Sequence, residues 1–200
     1  YYVFVVSCLC RYAKLRVIMK FQLFFVLILS SVLFANLSSA QESARIVSIE
    51  LENELPLFSK VYDDKRDPFK DAQAAITLAQ QTNRNVLIEI GGNWCTWCHK
   101  MDAFLEKHPK IYQALHNNYV LLKVSVSDSN ENEAFMKSLP PVQGYPHMYV
   151  STSTGQMLLS KDTAELLDNL EYSETYWLNF LAKWQVKNNK ENVHDTNKNS

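Results

Sequence analysis

The sequence predicts an α/β fold in which a mixed sheet lies between helices on both faces. Strand and helix patterns alternate along the chain, and the alternation ends in a hairpin followed by a last helix. Such an alternation favours parallel neighbours in a sheet, whereas a hairpin adds an antiparallel pair. The 200 residues carry 20 Lys and Arg against 21 Asp and Glu, for a net charge of -1. Proteins that bind nucleic acids usually carry a clustered excess of basic residues, so this balance does not indicate a nucleic-acid partner.

The N-terminal region has the pattern of a secretory signal peptide. Met19-Lys20 is followed by an apolar run over 21–34. Small residues, Ser38 and Ala40, then stand at the third and first positions before the expected cleavage point. An uncleaved membrane anchor is the alternative, although the apolar run is short for crossing a bilayer. Cleavage near Ala40 would place the mature chain in the periplasm or outside the cell.

The chain is expected to divide into five segments. The residues before Met19 have the character of upstream sequence translated in error, and the Asn- and Lys-rich end of the chain predicts disorder. The part between them is long enough to bury a core. The expected segments are upstream read-through at 1–18, a signal peptide at 19–40, an N-terminal extension packed on the domain at 41–66, the folded domain at 67–186 and a disordered polar tail at 187–200.

The helices and strands follow from caps, turns and apolar spacing. Asp67-Pro68 has the pattern of an N-cap with proline at the first helical position, and apolar residues follow at helical spacing. Apolar runs predict the buried strands, and Ser153-Thr154-Gly155 predicts the turn of the hairpin. The expected elements are a strand over 46–51, a helix over 68–82, a strand over 86–90, a helix over 95–107, a shorter helix over 111–117, a strand over 119–126, a helical turn within 128–138, strands over 147–151 and 156–159, and a helix from 173 to about 186.

The cysteines point to a redox site. Signal-peptide cleavage would leave only Cys95 and Cys98, which lie in the string WCTWCH at 94–99. A disulfide that closes so short a loop adds little stability, so its purpose is expected to be chemical. The pair follows a buried strand and begins a helix, and the positive N-terminus of a helix favours a thiolate. Cys95 is the expected nucleophile, and Cys98 is expected to resolve the mixed disulfide that forms.

This string resembles the thioredoxin superfamily and is most similar to its secreted W-C-x-x-C branch, which includes the C-terminal domain of the periplasmic thiol:disulfide interchange reductases. The resemblance spans about 67–184. Pro146 stands where that family has a cis-proline beside the active site. Glu89 occupies the position at which the family has a buried carboxylate in a strand, usually Asp. Lys123 occupies the position at which the family can have a lysine that pairs with this carboxylate. The resemblance implies a thioredoxin-like three-layer fold.

Glu89 is a candidate for proton transfer. It interrupts an apolar strand, so desolvation should raise its pKa and make it a proton acceptor for Cys98. The alternative is a carboxylate at a sheet edge that is exposed or simply paired with Lys123.

Four residues are expected to contact the substrate. The resemblance implies that a cis bond before Pro146 leaves the preceding backbone free to pair with an extended substrate segment, whereas an ordinary trans loop proline is the alternative. Tyr145 precedes this proline, and Trp94 would shield one side of the cysteine pair. Trp97, between the cysteines, is expected to be exposed and to contact partners.

The resemblance implies a protein-disulfide reductase or related thiol–disulfide oxidoreductase, with reduction favoured over oxidation. Thr96-Trp97 replaces the Gly-Pro of common thioredoxins, and this leaves the direction of the reaction open. No cofactor is expected beyond the dithiol/disulfide pair. The expected partners are protein or small thiol and disulfide substrates and an electron-donating redox partner, membrane-bound or soluble. The protein is expected to be a monomer.

Other functions fit the same string. Cys95, Cys98 and His99 form C-x-x-C-H, the attachment signature of c-type haem, although a buried strand is the wrong context for it. A non-catalytic scaffold that holds a partner, or copper(I) on its two thiols, is a further alternative. Zinc is disfavoured because these three side chains are too crowded to act as tetrahedral ligands, so no metal site is expected.

Overall fold

The computed structural model describes residues 55–187. The expected signal peptide, the strand expected over 46–51 and nearly all of the polar tail lie outside the described residues. Every helix within the described range is too short or too polar to cross a membrane.

Helices and strands alternate in the described chain, and the predicted α/β fold is confirmed. The helices are α1 Leu57–Lys60, α2 Pro68–Thr82, α3 Thr96–Lys107, α4 Pro109–Asn118, α5 Glu133–Met136 and α6 Glu174–Trp184, with a 3-10 turn at Thr163–Leu166. The strands are β1 Asn85–Gly91, β2 Tyr119–Ser125, β3 His147–Ser151, β4 Met157–Asp162, β5 Leu167–Asp168 and β6 Glu171–Tyr172.

The main sheet has four strands in the order β2-β1-β3-β4. Strands β1 and β2 are parallel, whereas β3 runs antiparallel to both β1 and β4. This register places Glu89 of β1 between Lys123 of β2 and Met148 of β3. Because β1 lies inside the sheet, every one of its residues is buried.

Alternate strand residues enter two apolar layers, one on each face of the sheet. The first layer packs strand residues against α3, α4 and α6, and includes Leu87, Leu121, Met148, Val150, Met101, Leu105, Ile111, Leu115, Trp177 and Leu181. The second packs strand residues against α2 and the short helices, and includes Val86, Ile88, Ile90, Val120, Leu122, Val124, Tyr149, Ala75, Ala79, Phe58 and Phe135. Helices on both faces of a mixed sheet give the three-layer arrangement that the sequence predicts.

Helix α2 begins and ends where the sequence indicates. The Asp67 carboxylate accepts hydrogen bonds from the backbone N–H groups of Phe69 and Lys70, which caps the first turn. Asn83 ends the helix in the left-handed region with a φ of 52°. The helix therefore stops in time for β1 to begin at Asn85.

Helix α1, the 3-10 turn and the β5–β6 pair are described elements that the sequence did not predict. Each is four residues long or shorter, so apolar periodicity has no room to appear. Tertiary contacts hold them in place instead. The Ser59 hydroxyl of α1, for example, donates a hydrogen bond to the carbonyl oxygen of Leu121 in β2.

Candidate active site

Cys95 and Cys98 form a disulfide at the beginning of α3. Cys95 is the N-cap residue of this helix, and its Sγ accepts the backbone N–H of Cys98 at 3.1 Å. Both side chains are buried. In the reduced protein, the same N–H group and the positive end of the helix would stabilise a thiolate on Cys95.

The sulfur of Cys98 is enclosed by the end of β1 and by Tyr62. A Cβ atom added to Gly91 would lie only 2.6 Å from the Cys98 Sγ and 2.6 Å from the Tyr62 hydroxyl oxygen. Tyr62 and the two cysteines form a small buried cluster, against which Trp97 packs. Because the space around Cys98 is filled, this sulfur does not fit a thioether bond to a haem.

Glu89 lies in the middle of β1 and is only 1% exposed. The Tyr62 hydroxyl donates a hydrogen bond to its Oε1. Burial raises the pKa of Glu89 from 4.5 to about 7, and the Asp102 carboxylate also raises it, whereas the Lys123 ammonium and the Tyr62 hydrogen bond lower it. The carboxyl group is therefore a central, buried one and not an exposed group at the sheet edge. Near neutral pH it can both take up and release a proton.

Lys123 is the strand neighbour of Glu89 and also contacts helix α3. Its Nζ lies 2.6 Å from the Asp102 Oδ1 and 5.1 Å from the centre of the Tyr62 ring. The sequence alone does not identify this ion pair with Asp102. The spacing could have indicated it, because Asp102 follows Cys98 by one helical turn and so lies on the same face of the helix. The sequence gives no such signal for Tyr62, because this residue precedes α2 and contacts the site only once the chain has folded.

Two exposed aromatic rings lie together beside the redox motif. Trp94 is 55% exposed, and its indole Nε1–H donates to the carbonyl oxygen of Val126 at 2.6 Å. Its ring stands edge-on to that of Tyr145, which is 39% exposed. The peptide bond between Tyr145 and Pro146 is cis, and β3 begins at the next residue. The Pro146 carbonyl oxygen accepts a hydrogen bond from the Thr163 hydroxyl at 2.6 Å.

A groove of about 1040 Å³ is lined by Trp94, Tyr145 and residues of the segment between β2 and β3. Much of its wall is apolar, and carboxylates are present along it. The apolar residues that line it include Met136, Leu139, Pro140, Pro141 and Val142, and the carboxylates are Asp128, Glu131 and Glu133. The groove is large enough for a segment of polypeptide beside the two exposed rings.

Trp97 differs from its prediction, because the structure places it half-buried and not exposed. Its ring packs edge-on against Tyr172, with ring centroids 6.2 Å apart, and the Lys100 Nζ lies 4.2 Å from its centre. His99 is exposed, and its Nε2 lies 2.8 Å from the carbonyl oxygen of Asn93. These contacts hold both side chains against the protein's own surface.

The chemistry of the pair needs only its sulfur atoms. Thiol–disulfide exchange transfers electrons through the cysteines directly and needs no cofactor. Among residues 55–187, no group of three or more His, Cys, Asp or Glu side chains is arranged to hold a metal ion.

Residues 67–152 match the family model described as thioredoxin-like. A disulphide isomerase from Xylella fastidiosa Temecula1 is similar, with a TM-score of 0.53 and 24% identity over 65% of this chain and 96% of that one. The C-terminal domain of Neisseria meningitidis DsbD matches in its oxidised and reduced forms, with TM-scores of 0.45 and 0.44 and 19% identity over 60% of this chain and 97% of that domain. No curated protein matches the sequence.

Proposed function

We propose that the protein is a thiol–disulfide oxidoreductase, because residues 67–152 match the thioredoxin-like family model, in agreement with the resemblance seen in the sequence. The observation that carries the proposal is the Cys95–Cys98 disulfide at the N-terminus of α3. In its dithiol form, such a pair gives two electrons and two protons to a substrate disulfide and becomes the disulfide itself.

The reaction consists of two displacement steps. The Cys95 thiolate attacks one sulfur of the substrate disulfide, forms a mixed disulfide and releases the other substrate sulfur as a thiolate. Cys98 then loses its proton and attacks the Cys95 Sγ, which releases the second substrate thiolate and closes the Cys95–Cys98 bond. The substrate gains two electrons and the cysteine pair loses two. A redox partner must return two electrons before the next cycle.

Glu89 is proposed to accept the proton that Cys98 loses. It is buried in the strand that leads into the cysteine motif, and its pKa of about 7 keeps a basic carboxylate available at neutral pH. Lys123 and Asp102 form an ion pair beside this carboxylate. Lys123 lowers the pKa of Glu89, and Asp102 raises it.

The aromatic pair and the cis-proline are proposed to hold the substrate. Trp94 and Tyr145 offer exposed ring surface, which favours contact with an apolar side chain next to the substrate cysteine. The backbone before Pro146 would pair with an extended substrate segment by strand addition. Trp97 would contribute only the part of its ring that Tyr172 leaves uncovered.

Reduction is the proposed direction, in the periplasm or outside the cell. The W-C-x-x-C string resembles that of the interchange reductases, which favours reduction. The small-residue pattern before Ala40 favours export. A reductase in an oxidising compartment requires an electron-donating redox partner, membrane-bound or soluble.

The variant Cys98→Ser tests the function. It keeps the attacking thiol of Cys95 and removes the resolving one, so it should accumulate mixed disulfides with a disulfide-bonded model peptide. Mass spectrometry would show each adduct on Cys95, and a reductant would release it. The matched variant Cys95→Ser should form no adduct through position 95. If Cys98→Ser forms no adduct and the wild type reduces no peptide, the protein is not an oxidoreductase, and a scaffold for binding takes its place.

A further inference from the structure

We propose that Tyr62 relays the proton from Cys98 to Glu89, a role that rests on the oxidoreductase function proposed above. Tyr62 lies between α1 and α2, before the segment that matches the thioredoxin-like family. The relay would therefore be supplied by the chain that precedes the matched domain.

The Tyr62 hydroxyl is hydrogen-bonded to the Glu89 carboxylate, and the Tyr62 ring packs in one buried cluster with Cys95 and Cys98. The hydroxyl donates this hydrogen bond to the Glu89 Oε1. Its oxygen and the Cys98 Sγ each lie 2.6 Å from the point at which a Cβ on Gly91 would be. The missing side chain at Gly91 leaves a small space that the hydroxyl and the sulfur share. The hydroxyl that binds the base therefore lies beside the thiol that must lose a proton.

Burial makes a connection between the thiol and the base necessary. Cys98 is 0% exposed and Tyr62 is 5% exposed, and the two pack in one cluster with Cys95. A thiol enclosed in this way cannot pass its proton directly to bulk water. Proton transfer to a positioned side chain is the remaining route, and it is effective when the groups are within hydrogen-bond reach.

The charged and titratable groups around this path come from the strands, from helix α3 and from the β5–β6 pair. Glu89 belongs to β1, Lys123 to β2, Asp102 to α3 and Tyr172 to β6. Burial, followed by the Glu89 carboxylate, raises the pKa of Tyr62 well above its ordinary value, and Tyr172 also raises it. Tyr62 therefore stays a neutral hydroxyl and passes a proton on without losing its own permanently.

The relay balances atom by atom. Cys98 gives its thiol proton to the Tyr62 oxygen as Tyr62 gives its hydroxyl proton to the Glu89 carboxylate. The Cys98 thiolate then attacks the Cys95 Sγ of the mixed disulfide and expels the substrate thiolate, which takes the electron pair of the broken S–S bond. Tyr62 ends as it began, and Glu89 ends as a neutral acid that returns its proton to Cys98 by the same path when the redox partner reduces the disulfide.

The variant Tyr62→Phe tests the relay because it removes the hydroxyl and keeps the ring. The whole protein, reduced, is mixed with a disulfide-bonded model peptide, quenched with acid at set times and analysed by mass spectrometry. We expect the mixed disulfide at Cys95 to form at the wild-type rate and its resolution to slow by about tenfold or more. Tyr112→Phe is the matched control, because Tyr112 is also buried and its hydroxyl has no hydrogen-bond partner among the described residues. It should resolve at the wild-type rate.

The pH profile separates an action of Tyr62 on Glu89 from a general effect on the fold. Resolution should slow as the pH falls through the pKa of Glu89, because only the carboxylate accepts a proton. Loss of the Tyr62 hydrogen bond raises that pKa, so the midpoint of the profile should move to higher pH in Tyr62→Phe and stay in place in Tyr112→Phe.

A double variant keeps the test independent of stability. If Tyr62 acts through Glu89, adding Tyr62→Phe to Glu89→Gln should slow resolution no further, whereas a general destabilisation would add its own effect. Additive effects, or wild-type resolution by Tyr62→Phe, would overturn the relay. Failure of the wild type to reduce the peptide, together with failure of Cys98→Ser to form an adduct, would instead overturn the oxidoreductase function.

Discussion

The indole ring of Trp94 stands edge-on to the phenol ring of Tyr145, with 5.3 Å between the ring centroids. Trp94 directly precedes Cys95, and Tyr145 directly precedes the cis-bonded Pro146. This contact joins the redox motif to a loop far along the chain. Both rings are exposed and line the groove, so they provide apolar surface for a substrate.

Replacing Trp94 by Ala should weaken substrate binding more than chemistry. An exposed aromatic anchor contributes about 1–2 kcal/mol to an interface, so we expect KM for a protein disulfide substrate to rise by about tenfold with a smaller change in kcat. Steady-state kinetics measures both constants. Tyr176→Ala, which removes an exposed aromatic ring from α6, is the control and should leave KM unchanged. A fall in kcat at constant KM would contradict a role in binding.

Glu89 should make the stability of the oxidised protein depend on pH. Its pKa is about 7 when folded, and the unfolded chain keeps the ordinary value of 4.5. The folded protein thus holds this proton more tightly, and its stability falls as pH rises from 4.5 through 7. Glu89→Gln cannot titrate at this position and does not lose this stability. Between pH 4.5 and pH 8 its free energy of unfolding should therefore rise by up to about 3 kcal/mol relative to that of the wild type. Urea unfolding at the two pH values measures this gain, and a pH-independent difference would argue against a buried, titrating Glu89.

His116 should have the opposite effect at lower pH. It is buried, and desolvation, with help from the charges of Arg84 and Lys123, lowers its pKa from 6.5 to about 4. Folding favours the neutral form of His116. Its contribution to the free energy of unfolding is therefore fully present above pH 6.5 and is lost as the pH falls through 4. The variant His116→Phe cannot titrate and should gain up to about 3 kcal/mol relative to wild type between pH 7 and pH 4. Unfolding curves at both pH values test this, and an unchanged difference would mean that His116 is solvated.

Gly91 should be intolerant of any side chain. Its added Cβ would meet the Cys98 Sγ and the Tyr62 hydroxyl at 2.6 Å, so Gly91→Ala must displace one of them. We expect a loss of about 1–3 kcal/mol in the free energy of unfolding. Gly144→Ala is the control, because a Cβ there meets nothing within 4 Å, and it should change stability by no more than about 0.5 kcal/mol. Similar stabilities of the two variants would contradict the close packing around Cys98.

Local signals in the sequence predict the main elements well. Asp67-Pro68 starts α2 through a side-chain cap and a favoured first residue, and both effects act within one turn. The apolar run over 86–90 predicts β1 because a strand inside the sheet is buried on both faces. Helix α1 escapes such reasoning, because it is one turn long and is held by the Ser59 contact with β2.

Apart from the family resemblance, the sequence predicts only those site residues that lie in the cysteine motif or in the strand that leads into it. The cysteines and Trp94 stand in one string, and Glu89 lies in the strand that leads into it. Tyr62 reaches Glu89 across the fold, and such a contact leaves no periodic or spacing signal in the chain. The exposed placement predicted for Trp97 fails for the same reason, because the ring that covers it comes from Tyr172 in the two-residue strand β6.

A redox titration of the whole protein decides whether Cys95 and Cys98 act as an exchanging pair. Samples are equilibrated in graded thiol/disulfide buffers, alkylated and weighed by mass spectrometry. We expect one two-electron transition between dithiol and disulfide, with a midpoint nearer to the value of about -270 mV for thioredoxin than to the value of about -120 mV for a strong oxidant. A midpoint near -120 mV would contradict the reductive direction. Thiols that resist alkylation in every buffer, on a protein whose mass includes a bound group, would contradict the oxidoreductase function itself.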